Sequence, residues 1–443
     1  MNKVFLLSLG CPRNLLDSEV LLGLLRKKGF NIVQKAETAD IAVVNTCAFI
    51  EDAKQESIDI ILQFCELKRK NKIKKLIVFG CLSQRYPAQL MEQIPEIDGL
   101  FGTSDFIRIP HLIDRILADE KIRETSSIPN FLYDHSYTRE LLTPSHFAYV
   151  KIQEGCSNRC SYCVIPDLKG ARRSRSIQSI SEEIKWLKKT YDVKEIVLIG
   201  QDTTSFGMDR SGRSELADLL REISPLMKGR WIRLLYTHPA HFTEELINLI
   251  AETDNICSYV DLPIQHINDK ILQRMNRFMT RRSIETLISK IRKKIKNVII
   301  RSSVIVGFPG ETEKEFKELT AFLKDIHFER LGAFIYSPEE NTPAVTFEKQ
   351  VSGKTKKTRF DKIMRVQQKI SSENNLKQLD RTLKVLIDET VPKDLCHFIG
   401  RSYMDAPEVD GVVYVKGRNL KLGDFANVRV TDTTEYDLTG ETI

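Results

Sequence analysis

The chain has 443 residues, too many for one ordinary core, so two to four domains are expected. A hydrophobic fraction of 42% and a charged fraction of 29% are those of a globular protein, and no apolar run approaches the roughly 20 residues of a membrane span. The balance of 67 Lys+Arg against 60 Asp+Glu, a net +7, admits an RNA or ribosomal partner without requiring one. The opening Val4-Phe5-Leu6-Leu7-Ser8-Leu9 is shorter than the usual apolar core of a signal peptide. It runs into Cys11-Pro12-Arg13-Asn14 without a small-residue cleavage pattern, so it reads as a buried strand. Nine cysteines without such a signal point to a reducing, cytoplasmic compartment, where clustered thiols bind metal more often than they pair.

Residues 1–118 alternate apolar and amphipathic runs. Strands over 4–9, 41–44 and 76–79, separated by helices over 15–28 and 53–70, predict an open parallel sheet covered on both faces. Each strand ends in a cysteine: Leu9-Gly10-Cys11, Asn45-Thr46-Cys47 and Phe79-Gly80-Cys81. Ligands of such sheets gather at the carboxyl ends of the strands, so the three thiols should emerge on one edge. Cys65, Cys257 and Cys396 have no such placement and read as small buried hydrophobes. Residues 119–147 read as a linker, and its His135 and His146 lack the spacing of a zinc finger.

Residues 148–350 carry strand–helix repeats. Strands over 149–153, 195–200, 231–236, 257–262, 298–306 and 330–336 suggest an open (β/α)6 relative of the eight-fold barrel. Chemistry in such barrels sits where strands meet the following loops. After the first strand come Cys156, Cys160 and Cys163, spaced C-x3-C-x2-C. A structural zinc normally takes four protein ligands and a closed cubane four cysteines, so three thiolates on a four-iron cluster leave one iron open. Other strand ends carry Gly200-Gln201-Asp202, Pro263-Ile264-Gln265-His266 and Val306-Gly307-Phe308-Pro309-Gly310. They offer polar groups and glycines at the same end of the barrel. His238 and His266 could move a proton, but no catalytic side chain is assigned. Residues 351–382 form a basic linker helix, either a solvated face or a nucleic-acid contact. Residues 383–443 alternate like a small antiparallel β-barrel.

The C-x3-C-x2-C loop, with Tyr162 beside its last cysteine, resembles the radical S-adenosylmethionine (SAM) superfamily. In that superfamily SAM chelates the open iron, and an electron from the cluster cleaves its sulfonium to a deoxyadenosyl radical. The resemblance implies a SAM pocket shaped by Tyr162, Gln201, Asp202, Gln265 and Gly307. A three-cysteine α/β domain (1–118), a linker (119–147), a radical SAM barrel (148–350), a basic helix (351–382) and a β-barrel (383–443) together resemble the methylthiotransferases over essentially the whole chain. That family implies two 4Fe-4S clusters, an auxiliary one on Cys11, Cys47 and Cys81 and the radical SAM cluster on Cys156, Cys160 and Cys163. It implies a C-terminal TRAM domain and two SAM molecules per turnover. One methylates sulfur held at the auxiliary cluster. The other yields the radical that opens an unactivated C–H bond, and the carbon radical captures the methylthio group.

The family has two branches, one acting on isopentenyl- or threonylcarbamoyl-adenosine in tRNA, the other on the β-carbon of an aspartate in ribosomal protein uS12. Residues 8–19, with Pro12 after the cysteine, the stretch 400–411 and Glu435-Tyr436-Asp437-Leu438 resemble the uS12 (RimO-type) branch. Residues 383–443 carry 7 Lys+Arg and 11 Asp+Glu, a net of 7 − 11 = −4, which suits a basic ribosomal protein better than a phosphate backbone. Leu235-Tyr236-Thr237-His238-Pro239 departs from that branch, because His238 precedes the proline where an aromatic is expected. The resemblance also implies a flavodoxin or ferredoxin as electron donor and no membrane partner. A non-catalytic, zinc-stabilised RNA-binding protein is the reading from another class.

Overall fold

The computed structural model describes residues 2–391 and 397–443, so Cys396 lies outside the described residues. The chain begins with six parallel strands, β1 (Lys3–Ser8), β2 (Asn31–Ile32), β3 (Ile41–Thr46), β4 (Lys75–Gly80), β5 (Gly99–Phe101) and β6 (Ile122–Glu124). Their order is β2-β1-β3-β4-β5-β6. Every residue of β3 and β4 is buried, as expected of strands covered on both faces. The first helix, α1 (Pro12–Lys27), begins three residues before the apolar pattern does. Pro12 sits in its first turn, where a missing N–H leaves no bond unmade. β6 carries the sheet past residue 118, into the stretch that reads as a linker. A three-residue edge strand gives no periodicity to detect.

Six further parallel strands form an open arc: β7 (Phe147–Lys151), β10 (Glu195–Ile199), β11 (Trp231–Leu234), β12 (Tyr259–Asp261), β13 (Ile299–Val306) and β14 (Arg330–Ile335). A two-residue ribbon, β8 (Gln153–Glu154) with β9 (Arg173–Ser174), follows the first of them. The arc is two three-stranded sheets joined by a bridge between Ile232 and Ile256. Alternate residues divide between two cores. Ala148, Val150, Ile196 and Leu198 pack under the surrounding helices. Phe147, Tyr149, Val197 and Ile199 face the lumen and pack against the C-terminal module.

That module is a closed five-stranded barrel of β15 (Thr382–Thr390), β16 (Phe398–Ser402), β17 (Val413–Lys416), β18 (Phe425–Thr433) and β19 (Leu438–Thr442). It departs from the antiparallel expectation at its closing pair, β17–β19, which is parallel. The module plugs the open lumen of the arc. Arg401 and Arg233 both pair with the buried Glu195, at 2.6 and 2.7 Å. Arg330 pairs with Asp405 at 2.6 Å, Tyr259 donates to Asp410 at 2.6 Å, and Tyr149 donates to Glu408 at 3.1 Å. With Asp388 held by His146 at 2.7 Å, four of the module's eleven carboxylates turn toward the barrel. Its acidic excess therefore does not translate directly into a docking surface.

The helix Gly353–Leu376 lies along β14 and the helix Glu313–Ile326, and two of its cations are structural. Arg359 pairs with Glu311 at 2.7 Å, and Lys356 donates to the Tyr336 carbonyl at 2.9 Å. Among the described residues, no helix is long and apolar enough to cross a membrane.

Candidate functional site

The strand order of the first sheet reverses between β1 and β3, the place where open parallel sheets form a ligand crevice. Cys11 follows β1, Cys47 follows β3, and Cys81 starts the short helix after β4. Gly10 makes the first approach possible. Its φ is +86°, and a Cβ there would lie 2.8 Å from Cys47 Cβ. The first turns of α1 stitch the loops together. Asn14 Nδ2 donates to the carbonyls of Leu9 (3.2 Å) and Thr46 (3.1 Å), and Asn45 Nδ2 donates to the Asn14 carbonyl (2.8 Å) and Ser18 Oγ (2.9 Å). Burial raises the Cys11 thiol, but the Arg13 guanidinium brings it net below its ordinary value. Burial drives Cys47 up and Cys81 up to about 12. Thiols this deeply buried ionise only against a positive charge, and a bound metal core supplies one.

The second triplet lies on a loop whose other side chains are nearly all anchored. Gly155 opens it at φ +72°, passing so close to the turn before β9 that a Cβ would meet the Ala171 carbonyl at 2.2 Å. Asn158 Nδ2 donates to Asp202 at 2.8 Å, the Arg159 carbonyl accepts from Asn276 at 2.6 Å, and Ser161 Oγ donates to the Arg274 carbonyl at 2.7 Å. Arg277 reaches Cys160 Sγ at 3.8 Å and holds the Pro263 carbonyl at 2.6 Å. Burial raises Cys156 to about 11 and Cys163 to about 12, and burial next to Cys160 raises Tyr162 well above the usual phenol. All six cysteines are free. His146 is engaged by Asp388 and the His135 backbone by Ser179, at 3.2 Å, so these contacts tie neither histidine to the triplet.

The spacing of the two triplets separates zinc from a larger core. Among the described residues, one set of three His, Cys, Asp or Glu brings all its ligand atoms within 4.8 Å, and it is Asp202, His238 and His241. Neither cysteine triplet is that compact. Zn–S bonds of about 2.3 Å in a tetrahedron place sulfurs only about 3.8 Å apart. The triplets, as held, suit a polynuclear iron–sulfur core better.

The expected pocket residues differ in what occupies them. Gln201 Nε2 donates to Glu154 at 3.0 Å while its Oε1 is buried without a partner. The Asp202 carboxylate is saturated by Asn158, Thr204 (2.6 Å) and His241 (2.7 Å); burial raises it, but the His241 bond together with the charges of His238 and His241 and the Thr204 bond holds it far below the usual range. Asp202 thus reaches the cysteine loop through Asn158. His238 is buried, accepts from the Ala240 amide at 3.2 Å, and is lowered to about 3 by burial and by Arg277. Gln265 and Tyr236 both adopt left-handed backbone, at φ +67° and +60°. Such strain in bulky residues concentrates at functional sites. Gly307 departs from expectation. Its φ is +73°, but the space a Cβ would take is filled by Lys356 Cγ at 2.3 Å, not left open for a cofactor. His266 is fully buried, with Nδ1 accepting the Asn268 amide at 3.0 Å and Nε2 3.5 Å from Glu311, so it holds a turn.

A buried ionic chain joins the two cysteine sets. Asp17 on α1 pairs with Lys151 of β7 at 2.5 Å and with Lys169 at 3.0 Å, and Lys151 pairs with Glu154 at 2.6 Å. Glu154 Oε1 in turn accepts from Gln201 and from the Gly155 amide, at 3.0 and 3.2 Å. Arg13 completes the contact, donating to Cys11 Sγ at 3.5 Å and to the Gly200 carbonyl at 3.0 Å, with its guanidinium 4.5 Å from the Tyr236 ring centre. Sequence reasoning passed over Arg13, Asp17, Glu154, Asn158, His241 and Arg277. The signal available was charge in apolar surroundings: Lys151 ends a buried strand, and Asp17-Ser18-Glu19 interrupts the inward face of α1.

The chain matches the uncharacterized protein family UPF0004 over residues 3–102, the radical SAM superfamily over 150–323 and the TRAM domain over 381–443. The ribosomal protein uS12 methylthiotransferase RimO of Clostridioides difficile (strain 630) is 45% identical over 444 residues, covering 100% of this chain and 99% of that protein. That of Desulforamulus reducens is 46% identical over 442 residues, again covering 100% and 99%. Among solved structures, the radical SAM methyltransferase TsrM from Kitasatospora setae, with tryptophan substrate and a SAM analogue bound, superposes with a TM-score of 0.57. It is 15% identical and covers 78% of this chain and 75% of its own, a likeness of fold. Full-length identity at this level, together with two open cysteine triplets at one domain joint, places the chain in the RimO family of radical SAM methylthiotransferases.

Proposed function

We propose that this protein adds a methylthio group to the β-carbon of an aspartate in ribosomal protein uS12. The observation that carries the proposal is the pairing of two three-cysteine sets across one joint, with Arg13 bonded to both sides of it. In this reading Cys11, Cys47 and Cys81 hold an auxiliary 4Fe-4S cluster and Cys156, Cys160 and Cys163 hold the radical SAM cluster. When bound, these groups and SAM supply a methylated sulfur and a radical able to open a C–H bond that acid–base groups cannot.

The protein's own part is to bind and aim. The Gly155–Cys163 loop is fixed by Asn158, Ser161 and Arg277, which keeps the three thiols in register. Gln201, with an unpartnered buried oxygen, is the polar group best placed to take a donor on SAM. Tyr162 and Gln265 line the same end of the arc, whereas Asp202 acts through Asn158 and Gly307 through its packing on Lys356. Arg13, held between Cys11 and Gly200, sets a fixed cation at the contact between the two cysteine-bearing domains, a group suited to pair with a substrate carboxylate. We place the protein in the cytoplasm, with a flavodoxin or ferredoxin as electron donor, and retain the division into an auxiliary-cluster domain, a radical SAM barrel and a TRAM module.

Mass spectrometry of uS12 and of total tRNA from a deletion strain tests the assignment. Loss of the methylthio group from the uS12 aspartate is expected. Its loss from tRNA, with uS12 unchanged, would move the protein to the other branch. Anaerobically prepared protein should carry about eight irons, following from two four-iron cubanes. Stoichiometric zinc without sulfide would refute the enzyme.

A further inference from the structure

The basic helix Gly353–Leu376 has a second face that the proposed chemistry does not use. Along it Lys362, Arg365 and Lys369 recur at intervals of about one turn, and Lys324 approaches from the end of the neighbouring helix Glu313–Ile326. Together they line an open groove of about 370 Å³ floored by Val366 and Ile370. All four cations are exposed, and among the described residues none forms an ion pair. The one carboxylate in the groove, Glu373, pairs with His327 at 3.4 Å. The Lys362 ammonium rests 5.4 Å from the centre of the Phe316 ring, a cation–π contact that orients it without neutralising it. The groove lies beside the residues that lead into the amino end of β14, so it sits at the opposite end of the arc from the cysteines.

We propose that this groove binds the phosphate backbone of RNA. Helix side chains three or four residues apart stand about 5–6 Å from one another, so the positive charge here repeats regularly. A nucleic-acid strand carries one phosphate per residue and repeats in the same way, and it gains affinity by releasing counterions to each such cation. An acidic protein surface offers no matching repeat. The choice of RNA over DNA rests on the ribosomal substrate assigned above. The groove would grip RNA around the target protein while the far end of the barrel works on the aspartate.

The test is fluorescence anisotropy with a labelled single-stranded RNA 20-mer, titrated at several salt concentrations. At about 0.7 per phosphate, four contacts give a slope of log K against log salt near −3. K362Q/R365Q/K369Q should bring the slope near −1 and weaken binding about tenfold or more at moderate salt. The milder K324Q/R365Q, which leaves Lys362 on Phe316, should lose about half the slope. Far-UV circular dichroism and iron content confirm that both variants fold. Equal slopes for wild type and variants would overturn the proposal. So would unchanged RNA binding with weakened binding of an acidic ferredoxin, which would make the partner a protein. RNA binding is read without turnover, so this result stands apart from whether uS12 is the substrate.

Discussion

Asp17→Asn tests whether the buried ionic chain sets the relation between the two cysteine sets. The Asp17 side chain is 6% exposed, and its partners Lys151 and Lys169 are 2% and 4% exposed. Asparagine keeps the shape and removes the charge, leaving Lys151 with Glu154 and the Lys169 ammonium buried without a carboxylate. Lys169 has no other carboxylate in ion-pair range among the described residues. Breaking a buried pair from one side costs about 3–5 kcal/mol, chiefly through the charge left behind. The assay is denaturant unfolding of the variant beside the wild type, with D17N/K169M completing a double-mutant cycle. The double variant should be more stable than D17N alone, because the stranded ammonium is gone. Function supplies a second readout. Asp17 sits on the helix that begins after Cys11, and Lys151 ends the strand leading to Gly155 and Cys156. A loosened joint should let SAM cleavage continue while less of it ends in methylthio transfer, so deoxyadenosine per modified uS12 should rise. If D17N unfolds within about 1 kcal/mol of wild type and that ratio does not change, the chain of charges is not what aligns the sites.

Three further outcomes are expected. Cys160→Ala should abolish deoxyadenosine formation and halve the iron to about four per chain, and Cys11→Ala should halve the iron while deoxyadenosine still forms. Gly10→Ala should cost more than about 1 kcal/mol, since it puts a Cβ at φ +86° and 2.8 Å from Cys47, and iron analysis should show the auxiliary site depleted first. Glu19 is raised to about 6, with burial outweighing the cation of Arg139. The folded state therefore binds its proton more tightly than the unfolded state does, so this contribution is fully present below the unfolded value and is lost as pH rises through about 6. The stability of wild type relative to Glu19→Gln should accordingly grow by about 1.5 kcal/mol between pH 7 and pH 4.5, read by thermal unfolding across that range.

What was legible in the sequence followed local rules. The cysteines were found because each closes an apolar strand, and strand ends of parallel sheets share an edge. The arc's strands alternate with amphipathic helices, and that alternation is visible without any long-range information. What was not legible depends on partners distant in the chain. β5 and β6 are three residues each, too short to show a period, and β6 is the sheet's edge. Gly307 looked like a glycine kept for a ligand, but the neighbour that needs its space is Lys356, about fifty positions later. Asp202 looked like a pocket carboxylate, but it is saturated from three sides. The stretch 400–411 resembles the uS12 branch, and what the sequence does not show is its structural part: Arg401, Asp405, Glu408 and Asp410 hold the module to the barrel.

The lumen plug also sets a timetable for biosynthesis. The arc's last strand is complete at Ile335, while Asp405, which neutralises Arg330, and Asp410, the second carboxylate on Arg301 after Asp261, arrive only with the stretch up to residue 410. At about 5–20 residues per second, a nascent chain holds that lumen open for roughly 4–15 s after the barrel could otherwise close. During that interval a row of charged groups and the inward aromatics Tyr149 and Tyr259 lack their final neighbours. The module that looks most separable in the sequence is therefore the one on which the rest must wait, and a chain ending before residue 400 is expected to accumulate as an incompletely closed, aggregation-prone form.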